Sequence, residues 1–297
     1  MNRLFSCLWL LILTTLPAKA DLRIFACEPE WGALITELAG DKANIFVATT
    51  AFQDVHHIQA RPSLIAQVRR ADLVVCTGAD LEVGWLPVLL RRSNNRNVLP
   101  GSSGYFLAAD YVQMLSVPGT IDRAAGDVHP DGNPHIQLDP RNYPPVTRAL
   151  VQRMVELDAG NADFYRRQSH EFLKRWESAI ELWEQRAATL NKMPTVVYHD
   201  AWVYLNHWLG LDQLAELEPK PGVPPTSSHL STILKLMQDQ PARAIIRAPF
   251  KPSRAADWLH ERTAIPVLVL PYTVGGNPQA EDLFGLFDST VSLLLGV

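Results

Sequence analysis

Three histidines of the sequence lie at the ends of strand-like apolar runs or in loops that adjoin them. His56 follows the run "ANIFVAT", His199 ends the run "TVVYH", and His135 lies in "GDVHPDGNPHIQLDP". This last segment is too rich in proline and glycine for a regular helix or a central strand, so it is a stiff loop. Ligands of open α/β sheets bind outside the carboxyl ends of the strands, where these imidazoles can converge on a metal ion.

Spacing alone leaves the metal site open. His56 and His135 are 79 residues apart, and His135 and His199 are 64 apart. No close pair such as His-Glu-x-x-His anchors a metal site in this sequence. Three unrelated polar loop residues therefore remain the alternative.

The elements that position these histidines alternate between strand and helix. Apolar runs of strand length are followed by segments of helical period, first "LRIFAC" and then "EWGALITELAG". This alternation predicts an α/β fold with parallel sheets covered by helices. Residues 161–190 lack glycine and proline and have apolar residues at near-helical spacing. Such a helix would be ~45 Å long, which suits a rod between two lobes.

The first twenty residues are predicted to be a cleaved signal. They have a positive charge at Arg3, an apolar run and the sequence "AKA" before Asp21. A membrane anchor is the weaker alternative, because the run is shorter than the ~20 residues of a span. The residue directly after the cleavage site is Asp21 and not the cysteine that would carry a lipid. We therefore expect a signal over residues 1–20, a lobe over 21–160, a linking helix over 161–190 and a second lobe over 191–297.

The composition is that of a soluble globular protein, with 47% hydrophobic and 20% charged residues. The net charge of −4 and the lack of a long basic run argue against nucleic acid as a partner. Cys27 and Cys76 remain after signal cleavage, and each ends an apolar run. If these runs are adjacent strands, ~4.8 Å apart, the cysteines can form a disulfide. Two buried free thiols are the open alternative.

Several segments resemble motifs of one family. The segments are "DVHHIQARPS", "NPHIQLDP", "VVYHDAWVYLNHWLGL" and "LEPKPGVPPTSSHL". They are similar to the periplasmic metal-binding subunits of zinc or manganese ABC importers, the ZnuA-like and TroA-like group, over most of the mature chain. The resemblance implies two α/β lobes joined by a long helix, with a metal ion in the cleft between them. It also implies a periplasmic location, a membrane permease as partner, a possible metallochaperone and a monomer.

Carried over by position, the resemblance assigns His56, His135 and His199 as the metal ligands. His57 is one place off the motif and is expected to be a neighbour. Manganese-binding relatives tend to have a carboxylate at the third position, where this chain has His199. Three neutral imidazoles suit Zn²⁺ better than manganese, which favours oxygen. A manganese or iron receptor of the same family is the alternative.

The sequence departs from the family pattern at the fourth ligand. Many relatives have an aspartate after the last strand, but "LPYTVGGN" has no carboxylate, and Val55 stands where some zinc members have glutamate. Water, Asp282 or another loop carboxylate can fill the position, although Asp282 also fits the start of a helix. The loop before His135 contains His129 alone, which puts a metal-collecting role of this loop in doubt.

Two other functions fit parts of the pattern. Three histidines with an open water position also describe a catalytic zinc hydrolase, but the motifs offer no evident general base, so we do not expect an enzyme. A siderophore or cobalamin receptor would not need three aligned histidines. The aromatic residues Trp202, Tyr204 and Trp208 are expected to pack in the core rather than to line the cleft. The segment "EPKPGVPP" is interpreted as a flap beside the cleft, or as a plain connector.

Overall fold

The computed structural model describes residues 21–119, 126 and 129–297. The predicted signal over residues 1–20 lies outside the described residues. No helix in the described part of the chain has both the length and the apolar character of a membrane span.

The first lobe is a four-stranded parallel sheet with strand order β2-β1-β3-β4. Its inner strands β1 and β3 are largely buried, as expected for strands covered by helices on both faces. Proline lies in the first turn of every helix of this lobe, where its missing N–H is no loss. The elements are β1 Leu22–Ala26, α1 Pro29–Ala39, β2 Ala43–Val47, α2 Pro62–Arg70, β3 Leu73–Cys76, α3 Leu86–Ser93, β4 Tyr105–Leu107 and α4 Tyr143–Leu157.

The second lobe repeats this plan with strand order β6-β5-β7-β8, again all parallel. In each sheet, therefore, the carboxyl ends of all four strands lie at the same edge. The elements are β5 Pro194–Val197, α6 Val203–Leu209, β6 Asp212–Glu216, α7 Ser227–Asp239, β7 Ala244–Arg247, α8 Arg254–Thr263, β8 Val267–Val269 and α9 Leu283–Leu295. The α/β architecture predicted from the sequence is confirmed.

The long helix α5 spans Ala162–Ala187 and is followed by a short 3₁₀ turn to Leu190. It is not a rod in solvent, because it packs along α1, α4 and α9. Its buried side chains include Phe172, Trp176 and Trp183. The C-terminal helix α9 also contacts α1 of the first lobe. The exact lobe boundaries at residues 160 and 190 stay a prediction.

The interior supports two further expectations. Trp202, Tyr204 and Trp208 are 1%, 1% and 7% exposed and belong to the main hydrophobic core, but Trp202 also lines the small cavity beside the three histidines. Cys27 and Cys76 are joined as a disulfide between β1 and β3, with their Cα atoms 4.8 Å apart. Of the two alternatives for these cysteines, the structure therefore contains the bonded one.

Candidate metal centre

The three histidines selected from the sequence come together between the lobes. His56 lies in a 3₁₀ turn after β2, His135 in the loop between β4 and α4, and His199 directly after β5. Each offers a ring nitrogen, and these atoms lie within 4.8 Å of one another. The centroids of the three rings are 5.4–5.8 Å apart. Side chains grouped at this spacing could hold one metal ion between them.

Carboxylates orient two of the rings. The Nδ1 atom of His56 is 2.9 Å from Asp54 Oδ1, and that of His199 is 2.7 Å from Glu218 Oε2. A carboxylate on Nδ1 fixes the tautomer with the proton on that nitrogen and leaves Nε2 to bind a metal. The Nε2 atom of His56 is buried and has no hydrogen-bond partner among the described residues. Such an arrangement could hold a metal ion.

A phenol and a turn hold the third ring. The hydroxyl of Tyr272 is 2.5 Å from Nδ1 of His135, and the His135 backbone N–H donates to Asn133 Oδ1 at 3.1 Å. The Asn133 side chain also donates to the carbonyl of Asp200 in the second lobe at 2.6 Å. Burial, together with the neighbouring His56 ring, lowers the pKa of His135 well below its ordinary value. The ring is therefore neutral, which is the form that binds metal.

Every strand of the second sheet contributes to the site from its carboxyl end. His199 follows β5, Glu218 follows β6, Lys251 follows β7 and Tyr272 follows β8. The Lys251 Nζ atom lies 3.2 Å from Asp54 Oδ2 and 3.2 Å from Glu218 Oε1. Parallel strands end at a common edge, so the topology itself assembles this half of the centre.

The positive charge of Lys251 helps to stabilise the ionised forms of Asp54 and Glu218. Burial alone would raise the pKa of Asp54, but its hydrogen bond to His56 and the charge of Lys251 lower it below its ordinary value. The pKa of Glu218 is lowered in the same way, against the effect of burial, by its hydrogen bond to His199 and the charge of Lys251. Both carboxylates are therefore charged at neutral pH.

The other residues considered in the sequence lie outside this cluster. His57 is exposed, and its ring is 6.1 Å from that of His56. The centroid of the His129 ring is 5.4 Å from that of His56, as close as the His135 ring is, but His129 is not part of the group formed by the three ring nitrogens. Asp282 caps α9 by accepting the Gly285 N–H at 2.7 Å, so its helix-start interpretation holds. Within the described residues, no fourth histidine, cysteine or carboxylate joins the three ring nitrogens.

A cleft of about 230 Å³ is lined by two of the three histidines, His56 and His199. Its wall includes Gly222 and Pro224, which belong to the segment "EPKPGVPP". The same segment contains Glu218, which accepts the Gly222 backbone N–H at 2.8 Å and contacts His199. The interpretation of this segment as a flap beside the cleft fits these contacts better than a plain connector.

Sequence reasoning missed the residues that orient the ligands. Asp54 stands two places before His56, and Glu218 opens the proline-rich segment, so a search for carboxylates near each motif would have found both. Lys251 and Tyr272 carry no such signal, because they reach the centre only through the packing of the second sheet.

One known protein family matches this chain over most of its length. A family model described as "Zinc-uptake complex component A periplasmic" matches residues 24–295. The chain belongs to this family. Its relatives include a high-affinity zinc uptake system protein of Bacillus subtilis, 20% identical over 83% of this chain and 76% of the relative. A manganese ABC transporter substrate-binding lipoprotein of Streptococcus pneumoniae is also 20% identical, over 80% of this chain and 74% of the relative.

Solved structures support the fold of this family member. A crystal structure of ZnuA superposes with a TM-score of 0.76 at 18% identity, covering 93% of this chain and 99% of the other. A manganese-bound periplasmic metal-binding protein from Candidatus Liberibacter asiaticus gives a TM-score of 0.74 at 17% identity, with the same coverage. The family thus contains proteins named for zinc and for manganese, and the fold is common to both.

Proposed function

We propose that this protein is a periplasmic receptor that captures Zn²⁺ and delivers it to the membrane permease of an ABC importer. The observation that carries the proposal is the set of three imidazoles, His56, His135 and His199, each held through Nδ1. His56 and His135 belong to the first lobe and His199 to the second, so a bound ion would bridge the cleft. The named relatives support an importer subunit, with the permease as its partner.

The ligand chemistry favours zinc over manganese or iron. Imidazole nitrogen suits Zn²⁺, whereas manganese favours oxygen ligands. The nearby carboxylates contact ring Nδ1 atoms and Lys251. Three imidazoles with water as a fourth ligand would complete a tetrahedral site with Zn–N distances of ~2.0–2.1 Å.

A receptor also fits these residues better than a zinc hydrolase does. A hydrolase needs a general base that can accept a proton from the metal-bound water. Asp54 and Glu218 are the carboxylates on the cleft wall, and each already binds a histidine and Lys251. We therefore favour capture and release of the ion without catalysis. We also propose that the chain acts as a monomer and that a periplasmic metallochaperone can supply its zinc.

Metal competition tests the choice of ion. The mature chain from Asp21 is stripped of metal, incubated with equimolar Zn²⁺, Mn²⁺ and Fe²⁺, separated from free ions and subjected to elemental analysis. We expect one zinc per chain, with little manganese or iron. The His135→Ala variant should lose the zinc, while the His57→Ala variant should retain it. Preferential retention of manganese would support the alternative receptor, and no retained metal would overturn the proposal.

A further inference from the structure

Lys251 lies between the two carboxylates that orient metal-binding histidines. One oxygen of Asp54 contacts His56 and the other contacts the Lys251 ammonium. Glu218 repeats this arrangement, with one oxygen on His199 and the other on Lys251. The lysine thus joins the orienting groups of both lobes through protein atoms alone.

The ammonium is held in a largely dry position. The Lys251 side chain is 11% exposed, and the side chain of Glu218 is 5% exposed. The rings of Tyr198 and Phe250 flank the Lys251 Nζ atom, each with its centroid 5.8 Å away. Removing charges from water is costly unless they are paired. The buried Lys251 ammonium therefore depends on its two carboxylate partners.

The charges suggest a role beyond holding side chains in place. Two carboxylates and one ammonium leave a single negative charge beside the three imidazoles. A dication arriving at the imidazoles makes the centre net positive, and the lysine then repels the ion that the carboxylates attract. Without the lysine, the two carboxylates would balance the charge of the dication, and they would repel each other whenever the dication is absent.

We propose that Lys251 acts as a built-in counter-cation to Asp54 and Glu218. It keeps these carboxylates of the two lobes together before metal binds, and it lowers the affinity for the bound metal ion. It thereby favours release of the ion to a partner. This inference rests on the proposed capture of Zn²⁺ by His56, His135 and His199. A purely positioning role for the lysine predicts the opposite sign, because disordered carboxylates would orient the histidines less well and binding would weaken.

Charge-changing variants separate the two roles. The Lys251→Met variant removes the charge, Lys251→Gln removes the charge but keeps an N–H donor, and Lys251→Arg keeps both. Zinc affinity is measured by competition with a chromophoric chelator, and zinc release is followed by stopped-flow transfer to excess chelator. We expect Met and Gln to bind zinc at least about tenfold more tightly than wild type and to release it more slowly, as expected for a unit charge near a dication. The Arg variant should stay within about threefold of wild type.

The outcomes distinguish this inference from the function on which it rests. Wild type must first bind one zinc that the His56→Ala variant loses, and failure at that step overturns the proposed function and the inference with it. If wild type passes, equal or weaker zinc binding by the Gln variant overturns the counter-cation role. Tighter binding by the Arg variant would also overturn it, because that variant keeps the charge. The Gln variant decides the question if the Met variant does not fold.

Discussion

At the scale of single residues, His56 and His57 are adjacent in sequence but differ in their surroundings. The side chain of His56 is 12% exposed and its Nδ1 contacts Asp54, whereas His57 is exposed. In the family motif, a Pro-Ser pair follows the ligand histidine by six residues, and this spacing assigns His56 rather than His57. The structure gives a physical reason for the same choice, because only His56 combines an orienting carboxylate with a buried, unpartnered Nε2 atom.

Replacing these neighbours should therefore have unequal effects. We expect His56→Ala to weaken zinc binding by more than about 100-fold, since even loss of an orienting group costs about 10- to 100-fold. The His57→Ala variant serves as the matched control and should stay within a few-fold of wild type. Calorimetric titration in the presence of a competing chelator measures both. Equal losses for the two variants would mean that the assignment of the ligand within "DVHHIQARPS" is wrong.

A second group of residues, Glu28, Glu30 and Glu82, affects stability rather than binding. All three are 1–2% exposed. Burial raises the pKa of Glu30 to about 7 and that of Glu82 to about 6. Burial and the charges of Glu82 and Glu30 raise the pKa of Glu28 well above its ordinary value. Above pH ~4.3 the unfolded chain releases protons that these glutamates keep in the folded chain. The free energy of unfolding therefore falls as the pH rises through about 4.5–7.

The Glu28→Gln variant tests this pH dependence. It keeps the shape of the side chain and removes an ionisation that burial disfavours. We expect the variant to lose less unfolding free energy than wild type between pH 5 and pH 7.5, and to be the more stable of the two at the upper pH. Denaturant unfolding of the metal-free chains at several pH values measures the difference, with the exposed Glu181→Gln as control. Parallel pH profiles for Glu28→Gln and wild type would contradict the expectation.

At the scale of elements, the strands β1 and β3 are tied together twice. They pair in parallel, and the disulfide joins Cys27 to Cys76 just beyond the paired residues of β1. The bond closes a loop with a sequence separation of 49 residues, which contains α1, β2 and α2. Closing such a loop restricts the unfolded chain, and typical disulfides contribute about 2–4 kcal/mol. The adjacency of the strands was predictable from the α/β pattern, but the oxidation state of two thiols was not.

Removal of this disulfide should lower stability without removing the metal site. We expect the Cys27→Ser/Cys76→Ser variant to lose about 2–4 kcal/mol of unfolding free energy and to keep one zinc per chain. Denaturant unfolding and elemental analysis give the two quantities. Thiol titration of the unfolded, non-reduced wild type should find no free thiol in the mature chain, and two free thiols would contradict the bond.

At the scale of the whole molecule, contacts among the described residues connect the two lobes. Glu30 of α1 accepts a hydrogen bond from Thr273, which follows β8, and Tyr272 contacts His135. The backbone N–H of Leu115 donates to the hydroxyl of Tyr204 at 3.0 Å. With α5 packed along α1 and α9, these contacts hold the lobes in one arrangement. Zinc should therefore stabilise this arrangement more than it reshapes the molecule.

Thermal unfolding and small-angle scattering test that expectation together. Zinc bound to the native state alone adds about 4 kcal/mol at a thousandfold excess over the dissociation constant, so the melting temperature should rise by several degrees. The radius of gyration should change little. An unchanged melting temperature would contradict zinc binding, and a large compaction would contradict lobes held together by protein contacts.

Much of this architecture could be predicted from the sequence, for reasons that particular residues illustrate. The alternation of "TVVYH" and the later apolar runs with helical segments predicts parallel strands, whose carboxyl ends place His199 at the edge of the sheet. The packing of α5 against the first lobe could not be predicted, because its apolar stripe does not reveal which surface covers it. Lys251 was missed because its two partners are 33 and 197 residues away in sequence. Such pairings depend on how the two lobes meet.

The central claim is that one zinc ion binds between His56, His135 and His199, and anomalous diffraction tests it most directly. Crystals of the mature chain loaded with one equivalent of Zn²⁺ are measured on both sides of the zinc absorption edge. We predict a single anomalous peak at ~2.0–2.1 Å from one nitrogen of each of the three rings. A zinc peak elsewhere in the molecule, or coordination by fewer than three of these histidines, would contradict the account.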